Sequence, residues 1–221
     1  MIRVGGMTPL TSIDFPGRLA AVLFLQGCPW RCGYCHNPEL LPARADTGLA
    51  WEQVEAFLQR RRGLLDGVVF SGGEPTSQAT LADALVRVRE LGYQTGLHTG
   101  GMYPQRLHAL LPQLDWIGLD IKAPDADYDR ITGRRGSAGP VRLSLETILH
   151  SGVDFECRTT WRPELFSVDA LYRLGADLRS RGVRHWAVQE CRIEGRVLLP
   201  MQRPDPARLG EGFVQFAYRA G

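Results

Sequence analysis

Apolar residues along this chain follow two rhythms that alternate. Near-continuous apolar runs over Arg18–Gln26 (RLAAVLFLQ), Asp66–Ser71, Tyr93–Thr99, Asp115–Lys122, Val153–Trp161 and Val183–Glu190 read as buried strands. Between them the apolar positions fall three and four apart, which places them on one face of a helix. Helices are predicted over Trp51–Leu65 (with Val54, Phe57, Leu58 and Leu65 on a common face), Leu81–Leu91, Tyr103–Leu111, Asp125–Ile131, Val141–His150 and Val168–Arg181. Gly72-Gly73, Gly92 and Gly152 punctuate the pattern. Six strands alternating with helices predict an α/β fold with a parallel sheet and right-handed crossovers. Residues 1–17 read as an N-terminal extension, about 18–192 as the core of a single domain, and 193–221 as a tail, Pro-rich from Pro200 and ending in a short apolar stretch. The segment Gly133–Pro140 reads as a mobile loop, and Trp51, Trp116 and Trp186 as packing residues.

Composition narrows the class. With 221 residues, 44% apolar and 23% charged, the chain has the make-up of a soluble globular protein of one or at most two domains. Disorder and collagen-like repeats are excluded. No stretch approaches the ~18 consecutive apolar residues of a membrane span, and Met1–Gly6 lacks the basic-then-apolar pattern of a signal peptide. A cytoplasmic protein without membrane contact is therefore expected. A net charge of +2 gives no argument for nucleic acid, and Arg60-Arg61-Arg62 reads as a solvated helix end. There is no phosphate loop ending in Lys-Ser/Thr, no Gly-x-Gly-x-x-Gly after a strand and no Gly-x-Ser-x-Gly. Nucleotide hydrolysis, nicotinamide chemistry and Ser-His-Asp hydrolysis lose support accordingly.

In parallel α/β folds ligands bind at the C-terminal ends of the strands. There the sequence places Cys28, Cys32 and Cys35 after the first predicted strand and Gly72-Gly73-Glu74-Pro75 after the second. His98-Thr99 follows at the third, Asp120 and Lys122 at the fourth, Arg158 at the fifth and Gln189 at the sixth. Thiolates are ligands for soft and borderline metals. A closed zinc site and an ordinary iron–sulfur cluster each take four protein ligands. Only three cysteines are local here, His36 is adjacent to Cys35, and Cys157 and Cys191 lie far along the chain and read as small buried hydrophobes. Three ligands leave one metal position open, as catalysis requires.

The stretch Gly27-Cys28-Pro29-Trp30-Arg31-Cys32-Gly33-Tyr34-Cys35-His36-Asn37-Pro38, followed by Ser71-Gly72-Gly73-Glu74-Pro75, resembles the signature of radical S-adenosylmethionine (SAM) enzymes. The opening Leu10-Thr11-Ser12-Ile13-Asp14-Phe15-Pro16-Gly17-Arg18 together with Cys35-His36-Asn37-Pro38 is similar to the activating enzymes of glycyl radical enzymes, above all those of anaerobic ribonucleoside-triphosphate reductase. The resemblance covers roughly residues 5–192. It implies a partial (βα)6, TIM-like barrel and a four-iron four-sulfur (4Fe-4S) cluster held by Cys28, Cys32 and Cys35. SAM would chelate the open iron and be cleaved reductively, and the radical so made would take hydrogen from a glycine Cα of the partner. The resemblance further implies that Gly72, Gly73 and Glu74 receive the methionine ammonium and that Tyr34 lies by the adenine. Asp120 and Lys122, two apart and so on one face of their strand, would approach the ribose from the barrel interior. Thr99 and Gln189 would line the same cavity, and Arg158 would face the partner peptide. Where pyruvate formate-lyase activases carry an acidic residue, this chain has His98, so no monovalent cation site is expected. No cysteine-rich insert separates Cys35 from Gly72, so one cluster suffices.

The partners implied are a glycyl radical enzyme and an external electron donor such as flavodoxin or ferredoxin. A chain this short leaves little sequence to enclose a small substrate, and an open lateral mouth suits a protein loop. Two other readings stand beside it: a radical SAM enzyme acting on a small molecule, as in the deazapurine-forming enzymes of tRNA modification, and a non-catalytic zinc-binding module.

Overall fold

In the computed structural model, which describes residues 1–44, 48–193, 196–197 and 203–219, the six predicted strands stand side by side in chain order. They are β2 (Ala20–Leu25), β3 (Gly67–Gly72), β4 (Gln94–Thr99), β5 (Trp116–Asp120), β6 (Asp154–Trp161) and β7 (His185–Glu190), all parallel. Helices α1 (Trp51–Arg60), α2 (Leu81–Glu90), α3 (Pro104–Leu110), α4 (Asp125–Thr132), α5 (Ala138–Leu149) and α6 (Val168–Ser180) make the crossovers.

The structure adds detail at four places. Residues 1–17, expected as an N-terminal extension, carry a strand: β1 (Val4–Thr11) pairs antiparallel with β2, from Val4 opposite Leu25 to Thr11 opposite Ala20. Its VGGMTPLT sequence has weak strand character, and pairing supplies the order that propensity does not. The tail contributes α7 (Pro206–Gly210) and β10 (Gln215–Arg219), which runs parallel to β7 on the other edge. Between them and β7, β8 (Arg192–Ile193) and β9 (Arg196–Val197) form a small ribbon, and the tail's start at Pro200 lies outside the described residues. Helix α1 stops at Arg60, short of Leu65, because the following turn uses Gly63 at φ +75°, and Leu65 reaches the core from beyond the helix. The segment 133–140 is an anchored turn: Asp129 accepts hydrogen bonds from Gly136 N, Ser137 N and Ser137 Oγ at 2.8–2.9 Å, and α5 starts at Ala138.

The two faces of the sheet have different cores. The outer face (Leu23, Phe70, Leu97, Leu119, Trp186) packs under the helices through Val54, Leu58, Leu85, Leu107 and Leu171. The inner face gathers Ala20, Val22, Val69 and Trp116 around Phe15, which enters from the β1–β2 connection. A Cβ on Gly67 would lie 2.8 Å from Phe15 Cε1, and one on Gly96 3.4 Å from its Cδ1. Phe15 thus touches β3 and β4 where side chains are missing and stacks 5.8 Å from Trp116 of β5. One ring reaching three strands requires a curled sheet. The same holds higher up, where Arg158 of β6 meets His98 of β4 across Gly118 of β5, whose added Cβ would be 3.0 Å from His98 and 3.3 Å from Arg158. The result is a partial barrel with Phe15 as its floor. Among the described residues no helix is long and apolar enough to cross a membrane.

Candidate functional site

The C-terminal strand ends converge on a cavity of about 180 Å³. Its lining brings together Cys28, Cys32, Tyr34, Cys35, Gly72, Gly73, Glu74, Thr99, Asp120 and Lys122, from four different strand ends. Arg158 and Gln189 lie outside that lining.

The cysteine loop leaves β2 through Gly27 at φ +99°. Its neck is closed by Gly27 N donating to Leu40 O (2.7 Å) and Cys28 N to Leu41 O (3.1 Å). The Arg31 guanidinium caps the Cys28 and Trp30 carbonyls at 2.6 and 2.8 Å. Backbone bonds therefore hold the loop, and the three thiols are left half-buried on the cavity wall. Among the described residues no three His, Cys, Asp or Glu side chains are drawn together tightly enough to hold a metal ion. Burial pushes the Cys28 thiol up to about 11 and raises that of Cys32 as well, against the lowering effect of Lys122 on both. Both thiols carry protons that a metal would displace.

The Gly72-Gly73 rim is zipped to this loop. Gly73 N donates to Leu25 O and Glu74 N to Gly27 O, each at 2.9 Å. Gly72 has φ +109°, and a Cβ there would sit 2.3 Å from Leu25 N; at Gly73 it would sit 2.5 Å from Gly27 O. Only glycine fits at such approach.

Glu74 is buried and its carboxylate is largely occupied by the chain itself. Oε1 accepts from Thr76 N (3.0 Å), Thr76 Oγ1 (2.5 Å) and Thr99 Oγ1 (2.7 Å), and Oε2 from Gly100 N (2.8 Å). Burial raises its pKa, opposed by these same bonds. Glu74 thus fastens the end of β3 to the end of β4, and the Thr99 hydroxyl is spent on it.

Asp120 ends β5, and Lys122 lies beyond the strand, so the two do not share a strand face as their spacing suggested. They meet nonetheless, Lys122 Nζ lying 3.2 Å from Asp120 Oδ2. Burial opposes the Lys122 charge, but Asp120, with Tyr34 and Cys32, outweighs it and holds the pKa well above the ordinary value. The ammonium also lies 5.8 Å from the Tyr34 ring and 5.9 Å from the Trp30 ring. Tyr34 is only 8% exposed, yet its hydroxyl has no partner among the described residues. A buried orphan of this kind aimed at a cavity fits a polar guest.

Below the cavity, Arg158 Nε bonds Glu156 Oε1 (2.9 Å), its Nη1 lies 2.9 Å from His98 Nε2, and it stacks on Trp116. His98 also meets Asp14 O at 2.9 Å and Ser71 Oγ at 3.3 Å. Burial, and then Arg158, push His98 down to about 4, so it is neutral at pH 7. Arg158 Nη2 is buried without a partner among the described residues. Gln189 of β7 sits opposite Thr160 of β6 and beside Arg219 of β10. Cys157 and Cys191 are buried in the outer apolar core.

Sequence reasoning missed Trp30 and Met102, which both line the cavity. Trp30 packs against the chain at Gly100, where a Cβ would come within 2.7 Å of its ring. The signals were an aromatic between two cysteines and a glycine pair directly after a strand.

A family model described as the radical SAM superfamily matches residues 22–160. Over 215 residues the chain is 26% identical to a Methanocaldococcus jannaschii protein assigned as a glycyl-radical enzyme activating enzyme, covering 93% of this chain and 88% of that one. It is 36% identical over 140 residues to the pyruvate formate-lyase-activating enzyme of Clostridium pasteurianum, covering 61% of this chain and 58% of that enzyme. Among solved structures, Streptococcus suis SuiB bound to S-adenosylmethionine superposes with a TM-score of 0.63 at 16% identity, over 88% of this chain and 48% of SuiB. QueE from Escherichia coli gives 0.52 at 19%, over 86% and 84%. The chain thus spans about half the length of SuiB and of the Clostridium enzyme, and at these identities the two structures speak for the fold alone.

Proposed function

The chain belongs to the radical SAM superfamily, and on that premise we propose that it is the activating enzyme of a glycyl radical enzyme, with a 4Fe-4S cluster and SAM as its cofactors. The observation that carries this reading is likeness to an activating enzyme over 93% of this chain and 88% of the relative, with no large part of either left over.

The residues present suit these cofactors. Cys28, Cys32 and Cys35 offer three soft ligands from one loop and leave a fourth position for a ligand from SAM. The Gly72-Gly73 backbone can approach the methionine group because nothing projects from it. Lys122 supplies a permanent positive charge for a carboxylate, Asp120 an acceptor for ribose hydroxyls, and Tyr34 a free hydroxyl. Glu74 acts mainly by holding the rim, through Thr76, Thr99 and Gly100. When bound, the cofactors supply a reductively generated radical able to take a hydrogen atom from a glycine Cα. Neutral His98 and Arg158 shape the barrel interior beneath, and the Arg158 Nη2 donor is available to a peptide carbonyl.

As partner we favour anaerobic ribonucleoside-triphosphate reductase, on the Leu10–Arg18 opening and Cys35-His36-Asn37-Pro38. Pyruvate formate-lyase is the second reading, favoured by the 36% identity to an enzyme that activates it. Incubating the reconstituted, reduced chain and SAM with each partner, and recording the glycyl radical by paramagnetic resonance, separates the two. A radical on neither partner, with deoxyadenosine released only when a pterin is added, would overturn the activase reading in favour of a small substrate.

A further inference from the structure

Two glutamines that do not line the cavity tie the cysteine loop to the rim opposite it. Gln26 follows the last residue of β2, and Gln78 follows the Pro75–Ser77 turn that continues from Glu74. They are 3% and 4% exposed. A buried side-chain amide has two N–H groups to satisfy on one nitrogen. Gln26 Nε2 donates to Glu39 O (3.0 Å) and Pro42 O (2.7 Å), on the returning limb of the cysteine loop. Gln78 Nε2 donates to Gln26 O (3.0 Å) and Arg3 O (2.9 Å), and Gln78 Oε1 accepts from Arg3 N (2.8 Å). Gln26 N also donates to Arg3 O, at 3.0 Å.

Four segments meet in this way: the entry to β1, the root of the cysteine loop, its return, and the turn behind Gly72-Gly73. The return limb meets the root through backbone bonds at Leu40 and Leu41, and the Gln26 amide adds one on either side of them. Glutamine is the residue this position requires. An ionised glutamate of the same length has no donor, and an apolar side chain would strand the carbonyls.

A ligand gripped both by the metal position beside the three thiols and by the Gly72-Gly73 backbone spans two segments that share no strand. Its fit depends on how far apart those segments are held. We propose that Gln26 and Gln78 are positioning residues for SAM: acting through the loop and the rim, they set the separation between the cluster and the Gly72-Gly73 backbone. The proposal rests on the cofactors of the proposed function and not on the identity of the partner. Groups that orient metal ligands from behind are typically worth about 10–100-fold in affinity or activity.

Gln26→Met and Gln78→Met keep the side-chain length and remove the donors. Gly5→Ala keeps the donors and crowds them, since its Cβ would lie 2.7 Å from Gln26 Oε1 and 2.4 Å from Leu40 Cδ2, both on flexible side chains. This milder variant carries the test should a methionine variant not fold. The control is Tyr93→Phe, which loses a buried hydrogen bond to Leu58 O (2.6 Å) in the outer core. Each protein is reconstituted anaerobically, and four readouts are taken: iron and sulfide content, urea stability, SAM affinity by calorimetry, and kcat and KM for deoxyadenosine formation. The methionine variants should keep iron and sulfide, because the three thiols remain, yet bind SAM about 10–100-fold more weakly and show a lowered kcat as well as a raised KM. Gly5→Ala should show part of that loss, and Tyr93→Phe should lose stability alone. Variants that bind and cleave SAM as the wild type does overturn the proposal. So does a control that loses as much SAM affinity, or loss of the cluster itself from the variants. A wild type that binds SAM but makes no radical on any partner overturns the activase reading alone, and the affinities still decide the proposal. A wild type that binds no SAM overturns the cofactors and this proposal together.

Discussion

The tightest constraint in the site is at Gly72, and Gly72→Ala tests it. Two costs are separable. The first is conformational: φ is +109°, where a residue with a Cβ pays about 1–3 kcal/mol. The second is steric: the new Cβ would lie 2.3 Å from Leu25 N and 2.7 Å from Leu25 O, where ordinary contact begins at 3.4 Å. The neighbours are backbone of the paired strand, not a side chain that can swing away. Relief therefore needs a displacement of roughly 1 Å between the end of β3 and the root of the cysteine loop, a misplacement that can cost about 100-fold in rate. Gly92→Ala isolates the first cost, since Gly92 has φ +90° and nothing within 4 Å of its would-be Cβ. Both variants should lose stability in urea titration. Only Gly72→Ala should also lose SAM affinity in calorimetry and deoxyadenosine formation. Wild-type SAM affinity in Gly72→Ala, or an equal loss in Gly92→Ala, would refute the reasoning.

Three further outcomes are expected. Phe15→Ala empties the barrel floor, where Phe15 is 2% exposed, and should cost about 3–5 kcal/mol in urea unfolding. His98 is held neutral with its pKa near 4, below its unfolded value of 6.5, so the unfolded chain takes up its proton first as pH falls. Its stabilising contribution is complete above the unfolded pKa and is lost toward the folded one, so between pH 7 and pH 4 the wild type should lose about 3 kcal/mol more than His98→Gln, measured by denaturation at each pH. Cys28→Ala, Cys32→Ala and Cys35→Ala should each abolish retention of iron and sulfide after anaerobic reconstitution, whereas Cys157→Ala, in the outer core, should retain both by metal and sulfide analysis.

The six parallel strands and their helices were legible because burial on both faces imposes continuous apolar runs, and helices under a sheet impose a spacing of three and four. The edges were not. β1 and β10 have mixed sequences and become strands through the partners they pair with, Ala20–Leu25 and His185–Glu190. The site was legible where chemistry demands particular residue types in a short span, as with the three cysteines and Gly72-Gly73. It was less so where residue type leaves the role open. Glu74, expected to meet a ligand, lines the cavity, and residue type did not show that four donors of its own chain also bind its carboxylate.

The amino-acid order alone thus determined the kind of sheet, the rim on which chemistry collects and the soft donors it carries, because these follow from local periodicity and side-chain chemistry. Only the tertiary structure decided that Phe15 closes the barrel and that Arg158 reaches His98 over the missing side chain of Gly118. These contacts join residues far apart in the chain, and which of them meet depends on how strongly the sheet curls, a property of all the strands together that no short stretch of sequence encodes.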